Sequence, residues 1–467
     1  MSEGSKVLRG TGRAAAGLVV IAAAAASLLV LQGSSIPAFD QTPPSVTVDT
    51  TQNSTQTLVC AGAYSVLGAD PSRPEAAIPT GAPETVISGE PDAVEALARG
   101  EGGDAPPAAI TAPAGAAIGA AQVQAVSTET AVGAVASACA TPTNEQWLIG
   151  GDTSEGVSTT LSIGNAGNVP ATVQIELFDE NGRVEAAGTK AVLVQPHAEQ
   201  IVSINGYAPE RASLAVHVVS TGAPVTATLG IGRIVGLDPF GVSTVTRQIE
   251  ASNTLVIPGV THIDDGHDHG PNDVGEESEL GVHVRLLNPL GEEGDVGEAR
   301  ILGLTKKGDR IDLGSLSVVS DAVAEFVVPR WPAEVDAIVV ESDLPVVGGA
   351  LGHATSDDHH DFGWFAPAPV IAADTTVAAP VVDGGELVIA NPGDADAEVE
   401  LAPAAGKTRT VKVAAGAAVA VDASAGGTLT STRPVHAGVR YTAGGDIDGY
   451  PILAPAERDG ALTVYTR

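Results

Sequence analysis

Seven of the ten histidines lie between residues 253 and 371, and they are surrounded by carboxylates. His262, His267 and His269 fall in THIDDGHDHGPND, His283 follows, and His353, His359 and His360 fall in HATSDDHHDFGWF. Imidazole beside carboxylate is a ligand set for zinc, nickel or copper. The candidate ligands of one divalent metal site built from two loops are therefore His262, His267, His269, His353, His359 and His360. The competing reading is a pair of solvated polar loops, which Asp-Gly and His-Gly turns suit. Asp264, Asp265, Asp268 and Asp273 have the charge for calcium but lack the spacing of a calcium-binding loop. Asp446-Ile447-Asp448-Gly449 reads as a plain turn.

Other chemistry is weakly signalled. No serine sits in a Gly-x-Ser-x-Gly elbow. Gly230-Ile231-Gly232 with Gly236 is followed by Pro239 and opens no amphipathic helix, so it does not read as a phosphate loop. Phe362, Trp364 and Phe365 form either an aromatic platform for a sugar or partner, or the buried start of a closing strand. No catalytic residue or cofactor is expected apart from that metal, no small-molecule substrate is evident, and the chain reads as a non-enzyme. Cys60 and Cys139 are the only cysteines. In an oxidising compartment they are expected to form a disulfide, which could contribute roughly 4–5 kcal/mol by closing a long loop.

The elements that would carry these residues are short strands. With 55 Gly, 31 Pro and only 3 Trp, 5 Tyr and 6 Phe, the composition favours many strands and turns over long helices. One pattern of strand, Asn-centred turn and strand occurs three times. It appears as TLSIGNAGNVPATVQIELF from Thr160, as HVRLLNPLGEEGDVGEARILGL from His283 and as ELVIANPGDADAEVEL from Glu386. The turns pivot on Asn165, Asn288 and Asn391, and Pro224, Pro345 and Pro434 mark a later strand in each. The Asn-to-Pro separations of 59, 57 and 43 make the third copy a shortened one. Units near 100 residues suit β-sandwiches better than propeller blades. If each unit has eight alternating strands, its first and seventh loops emerge at the same end; seven strands would put them at opposite ends.

Before these units, Ala14–Leu31 is an uncharged run of 18 residues, close to the ~20 that span a bilayer. Lys6, Arg9 and Arg13 precede it and no basic residue follows until Arg73, which places the N-terminus in the cytoplasm. An uncleaved signal-anchor is preferred to a cleaved signal peptide, and both leave the bulk of the chain outside. Beyond residue 31 there are 56 acidic and 20 basic residues, a charge of −36 that excludes direct nucleic-acid binding.

The expected organisation is a basic cytoplasmic tail (1–13), a transmembrane helix (14–31) and a membrane-proximal β-subdomain (40–141). That subdomain should carry a flexible Pro/Ala/Gly-rich insert over 69–120, with a short helix over Pro91–Arg99. Three sandwich modules follow at 142–252, 253–371 and 372–467. The fold class is mainly β, with tandem immunoglobulin-like β-sandwich modules after one N-terminal transmembrane helix. The Trp-led strand of WLIGG, the turn of TLSIGNAGNVPATVQIEL and the late SxxxPV strand resemble β-sandwich repeats of secreted actinobacterial envelope proteins. The layout of anchor, Cys pair and repeats is similar to an uncharacterised membrane-anchored family of that group. The resemblance implies a membrane-anchored envelope location and no enzymatic role; the expected function is a structural or interaction role in the envelope, from a single-pass position in the cell membrane. Envelope proteins or glycans are the expected partners, and glycan or metal binding through the His/Asp loops is the alternative function.

Overall fold

The computed structural model describes residues 45–48, 55–68, 72–73, 76–100, 102–103, 105–263, 280–292, 294–356, 359–404, 406–422, 427–453 and 462–465. The apolar run Ala14–Leu31 lies outside them. Among the described residues no helix is long and apolar enough to cross a membrane. The chain is mainly β and divides into two compact units, 1–52 with 458–467, and Asn53–Glu457. In the first unit β1 (Ser45–Val48) pairs antiparallel with the last strand, Leu462–Tyr465.

The larger unit begins with β2 (Thr55–Cys60), β3 (Ser65–Leu67), β4 (Ala77–Pro79), β5 (Glu84–Ser88), β6 (Ala93–Ala96), β7 (Ala98–Arg99), β8 (Ala108–Pro113), β9 (Gly119–Ser127) and β10 (Val132–Ala138). Two three-stranded sheets run β2-β8-β6 and β10-β9-β5, and β3 pairs with β4. Much of the expected flexible insert is therefore strand. Its apolar positions are mostly alanines, with Ala77, Ala109, Ala112 and Ala120 buried, so the pleat is filled by small side chains that a search for large ones misses. The expected helix over Pro91–Arg99 is also absent, replaced by β6 and β7. The Leu97 N–H donates to the Pro107 carbonyl and the Ala98 N–H to that of His197, and the Leu97 side chain is buried with Val59 and Ala109. Tertiary partners override helical spacing here. Cys60 and Cys139 are joined, as expected, and lie in a small core with Leu58 and Ile110.

The next block contains β11 (Glu145–Ile149), β12 (Val157–Asn165), β13 (Ala171–Asp179), β14 (Gly182–Val184), β15 (Val192–Val194), β16 (Ala198–Ser203), β17 (Ala215–Gly222), β18 (Thr226–Val235) and β19 (Asp238–Val245). One sheet runs β11-β17-β13-β14, with β15 also on β13; the other runs β19-β18-β12-β16-β7. Alternation along β13 explains its placement. Val173, Ile175 and Leu177 enter the core, while Thr172 faces solvent and Gln174 and Glu176 are half-buried.

A third block contains β20 (Ser252–Pro258), β21 (Val282–Leu287), β22 (Val296–Thr305), β23 (Arg310–Val319), β24 (Ala324–Val328), β25 (Val335–Ser356) and β26 (His359–Phe365). The 22-residue β25 serves both of its layers. Its first half pairs with β20 and β22 and its second with β21 and β26. The last block contains β27 (Thr376–Ala378), β28 (Gly385–Asn391), β29 (Ala397–Pro403), β30 (Arg409–Val413), β31 (Ala417–Asp422), β32 (Gly427–Ser431), β33 (His436–Ala443) and β34 (Asp446–Pro451), and Leu462–Tyr465 is β35. Its sheets run β27-β32-β29-β30 and β31-β28-β33-β34 around one core.

Numbered within this last block, the strands pair in the order first-sixth-third-fourth and fifth-second-seventh-eighth. The two blocks before it follow the same order, with β14 and β15 sharing the fourth place and β25 filling the sixth and seventh. The blocks converge on four strands. β10 packs beside β19 and β34, and β26 packs beside the same two. This four-strand hub joins every part of the larger unit.

Candidate functional site

The stems of the two histidine loops meet, at the same end of their block. Ile263 forms a parallel bridge with Ala354, its N–H donating to the His353 carbonyl at 2.9 Å. His262 Nδ1 lies 3.1 Å from that carbonyl. His353 is itself buried, with Nδ1 2.9 Å from the Gly281 carbonyl. Burial pushes its pKa down to about 3, against the raising effect of that bond, and His283 and His262 push the same way as burial. The His353 ring is therefore neutral at pH 7.

His283, on β21, stands edge-on to His353 with ring centroids 5.9 Å apart, and its Nδ1 is 3.0 Å from Glu325 Oε1. Its Nε2 is buried without a hydrogen-bond partner. Arg285 shares Glu325, with Nε 2.8 Å from Oε2, and lies 4.8 Å over the Trp364 ring. Burial pushes the Glu325 carboxyl up, but the Arg285 charge and the His283 bond outweigh it and hold the pKa down to about 2. Three imidazoles thus place Nδ1 against oxygen acceptors. In His283 and His353 a proton there leaves the Nε2 lone pair for a ligand, the orientation that metal-binding histidines use.

The other expected ligands do not join them. His359 Nε2 is 2.6 Å from Asp446 Oδ1, and His360 stacks on Phe240 with centroids 5.0 Å apart. His267 and His269 lie outside the described residues. Among the described residues no group of three or more His, Cys, Asp or Glu side chains is placed to hold a metal ion. Phe362, Trp364 and Phe365 are all buried, and so form no open aromatic platform. They are in the closing strand β26, as the competing reading had it, but fill its buried second half rather than its start.

Two carboxyls stand out that sequence reasoning passed over. Asp361, in β26, is buried and accepts from the backbone N–H groups of Ala134 in β10 (3.3 Å), Val242 in β19 (3.2 Å) and Ile447 in β34 (3.1 Å). Asp448, in β34, is buried and accepts from the Ala136 N–H (2.7 Å), the Ser243 hydroxyl (3.1 Å) and the Gly449 N–H (2.9 Å). Asp361 therefore ties β26 to the three other hub strands, and Asp448 ties β34 to β10 and β19. Asp446–Gly449 is thus not a turn; the turn is Gly444-Gly445, and Asp448 points into the hub. Burial pushes both carboxyls well above the usual range, against their N–H donors.

The three pivoting asparagines are structural. Asn165 donates through Nδ2 to the carbonyls of Val169 and Val194 and accepts the Gly167 N–H. Asn391 donates to those of Ala395, Val413 and Ala414 and accepts the Gly393 N–H. Asn288 accepts from Leu290 and Gly291.

A family model, described as a family of unknown function (DUF5719), matches residues 97–424. The chain belongs to that family. The DUF5719 span includes the histidine loops, Cys139 and Asp361, and leaves out Cys60, Asp448 and the hub strand β34. No curated protein matches the chain. Among solved structures it is weakly similar to a biofilm-associated protein, BSP domain, at 10% identity and TM-score 0.11, covering 73% of this chain and 64% of that one. A TM-score this low carries no argument about fold or role.

Proposed function

We propose that this chain is a non-enzymatic structural or interaction protein of the cell envelope, acting outside the cytoplasm and held to the membrane by Ala14–Leu31. The observation that carries this reading is the Cys60–Cys139 disulfide, which is buried in the core of the first block. Such a bond persists where thiols are not kept reduced. The high acidic charge supports it by favouring solubility and a basic or neutral partner over nucleic acid. The recurrent strand order supports reading 142–252, 253–371 and 372–467 as three related sandwich modules of immunoglobulin-like type, with 40–141 as a smaller companion. Protease treatment of intact cells, with intact-mass measurement of the native protein before and after reduction, tests the proposal. Surface cleavage and a mass gain of two hydrogens on reduction are expected. A protected protein with two free thiols would overturn it.

A second reading, metal binding, is favoured by one observation: His262, His283 and His353 all turn Nδ1 toward an oxygen acceptor. Elemental analysis of purified, tag-free protein decides it. Stoichiometric zinc, nickel or copper that is lost in His283→Ala and His353→Ala would support this reading, and protein free of these metals after incubation with each would remove it.

A further inference from the structure

The last three blocks differ in what closes the sandwich where the fifth strand hands over to the sixth. In the second block this is residues 204–214, of which Ile204 and Leu214 enter the core and Tyr207 packs against it. In the third it is residues 329–334, of which Trp331 packs against the core. In the last it is Ala423-Ser424-Ala425-Gly426, which brings no large side chain. An open cleft of about 230 Å³ lies at that end of the last block, with Asp422 from the end of β31 on its rim. We infer that this cleft binds a small organic anion. Its apolar body, about the size of an aromatic side chain, takes the place that Tyr207 and Trp331 fill in the two blocks before.

The cleft opens between the ends of the two sheets. On one side β29 ends where β30 and β32 begin, with Leu401 opposite Arg409 and Pro403 opposite Gly427. On the other β28 begins where β31 ends, with Glu386 opposite Asp422. The floor belongs to the block's own core: Ala379, Leu387 and Leu401 line the cleft and are buried. One wall is pinned from both directions. The Gly427 N–H donates to the buried Ser88 hydroxyl of the first block at 3.0 Å, and the Gly427 carbonyl accepts the Ala379 N–H at 2.8 Å. A preformed apolar floor with a few polar groups at its edge is the usual build of a small-molecule site.

The rim sets the sign of the charge. Lys407 and Arg409 line the mouth and are exposed. Neither enters an ion pair among the described residues, whereas nearby Lys412 is paired with Asp396. Arg409 reaches across to the other sheet and donates to the Asp422 carbonyl. Asp422 is the one carboxylate lining the cleft, and Glu386 opposite it is held by Arg440. The rim is therefore net positive in a chain whose formal charge is −34. A lysine beside a guanidinium suits a carboxylate, which each can bind through charge-assisted hydrogen bonds.

The test is equilibrium dialysis of indole-3-propionate against the full chain in nanodiscs of neutral lipid, with empty discs as the blank. Saturable binding of one molecule per chain is expected, with a Kd at or below about 1 mM, ordinary for a ligand of this size. Indole-3-propionamide has the same body without the charge and should bind about tenfold more weakly or worse. Acetate, which has the charge without the body, should not compete. Lys407→Gln combined with Arg409→Gln should weaken the acid about tenfold and leave the amide unchanged. Lys306→Gln combined with Lys307→Gln, at the corresponding turn of the third block, should change neither. Acid binding that survives the Lys407 and Arg409 changes would place the probe elsewhere and overturn the inference. So would a native chain that binds acid and amide equally, or that shows no saturable uptake of the acid up to about 10 mM, whether or not the variants fold.

Discussion

At the scale of single residues, polar side chains in this protein mostly bind backbone, and two of them illustrate the energetics. Asn391 donates to three carbonyls and accepts one N–H. An Asn391→Asp change would turn an oxygen toward those carbonyls, and we expect a loss of about 2–3 kcal/mol in denaturant unfolding, the usual cost of stranding buried polar groups. A variant within a few tenths of the native value would show that the turn does not depend on the side chain. Glu325 makes a pH prediction. Its carboxyl is held down to about 2 chiefly by Arg285 and His283, in spite of burial, so its stabilising contribution is present above the unfolded value near 4.3 and lost as pH falls toward 2. Glu325→Gln should lower the urea midpoint at pH 7 and narrow the gap between pH 7 and pH 3.

At the scale of elements, Leu97 shows what a short strand can depend on. β7 is two residues long, yet it extends the sheet of the next block by pairing in parallel with β16. Beside it Arg99 and Glu199 form a buried ion pair, and Glu199 also accepts from the Ser162 hydroxyl. Leu97→Ala should cost about 2–5 kcal/mol through the cavity it leaves, with the earliest loss of amide protection at Ala98 and Glu199; protection unchanged there would show β7 to be incidental. Gly133 is the matching case in the hub. Its φ of +128° and its contact with Asp361 leave no room for a methyl group, so Gly133→Ala should lower stability by about 1–3 kcal/mol or more. Elements of this kind were poorly legible in the sequence. Where Val, Ile and Leu alternate with polar residues, as along β13, strand and core face could be read directly. Where alanine fills the pleat, as in β8, the strand looked like a flexible insert. That the stems of the two histidine loops meet depended on each unit having eight strands rather than seven, a count that short strands leave open in the sequence. Asp361 and Asp448 were not legible, because what makes them special is supplied by strands 86 to 312 residues away.

At the scale of the larger unit, a row of independent modules and a joined body make different predictions about unfolding. The cores are not confined to their own blocks. The core of the last block includes Ala121, Val123 and Ala136 from the first, and Phe362 and Trp364 of the third block lie in the core of the second. Arg285 also reaches across to backbone carbonyls at Gly151, Ala212 and Leu214. Separating the blocks would expose these apolar contacts and strand the hub carboxyls without their donors, so the blocks should not come apart one at a time. Residues 53–457 should unfold in one cooperative denaturant transition, with Trp fluorescence and far-ultraviolet circular dichroism coinciding. Residues 372–453 alone, which lack the first block's contribution to their core, should be far less stable or should aggregate. Reduction, or Cys60→Ser with Cys139→Ser, should move that single transition to lower denaturant by about 2–5 kcal/mol without splitting it. Two resolved transitions in the native chain, or a stable isolated last block, would mean that the contacts between blocks contribute little and that the hub is a meeting place of separate modules.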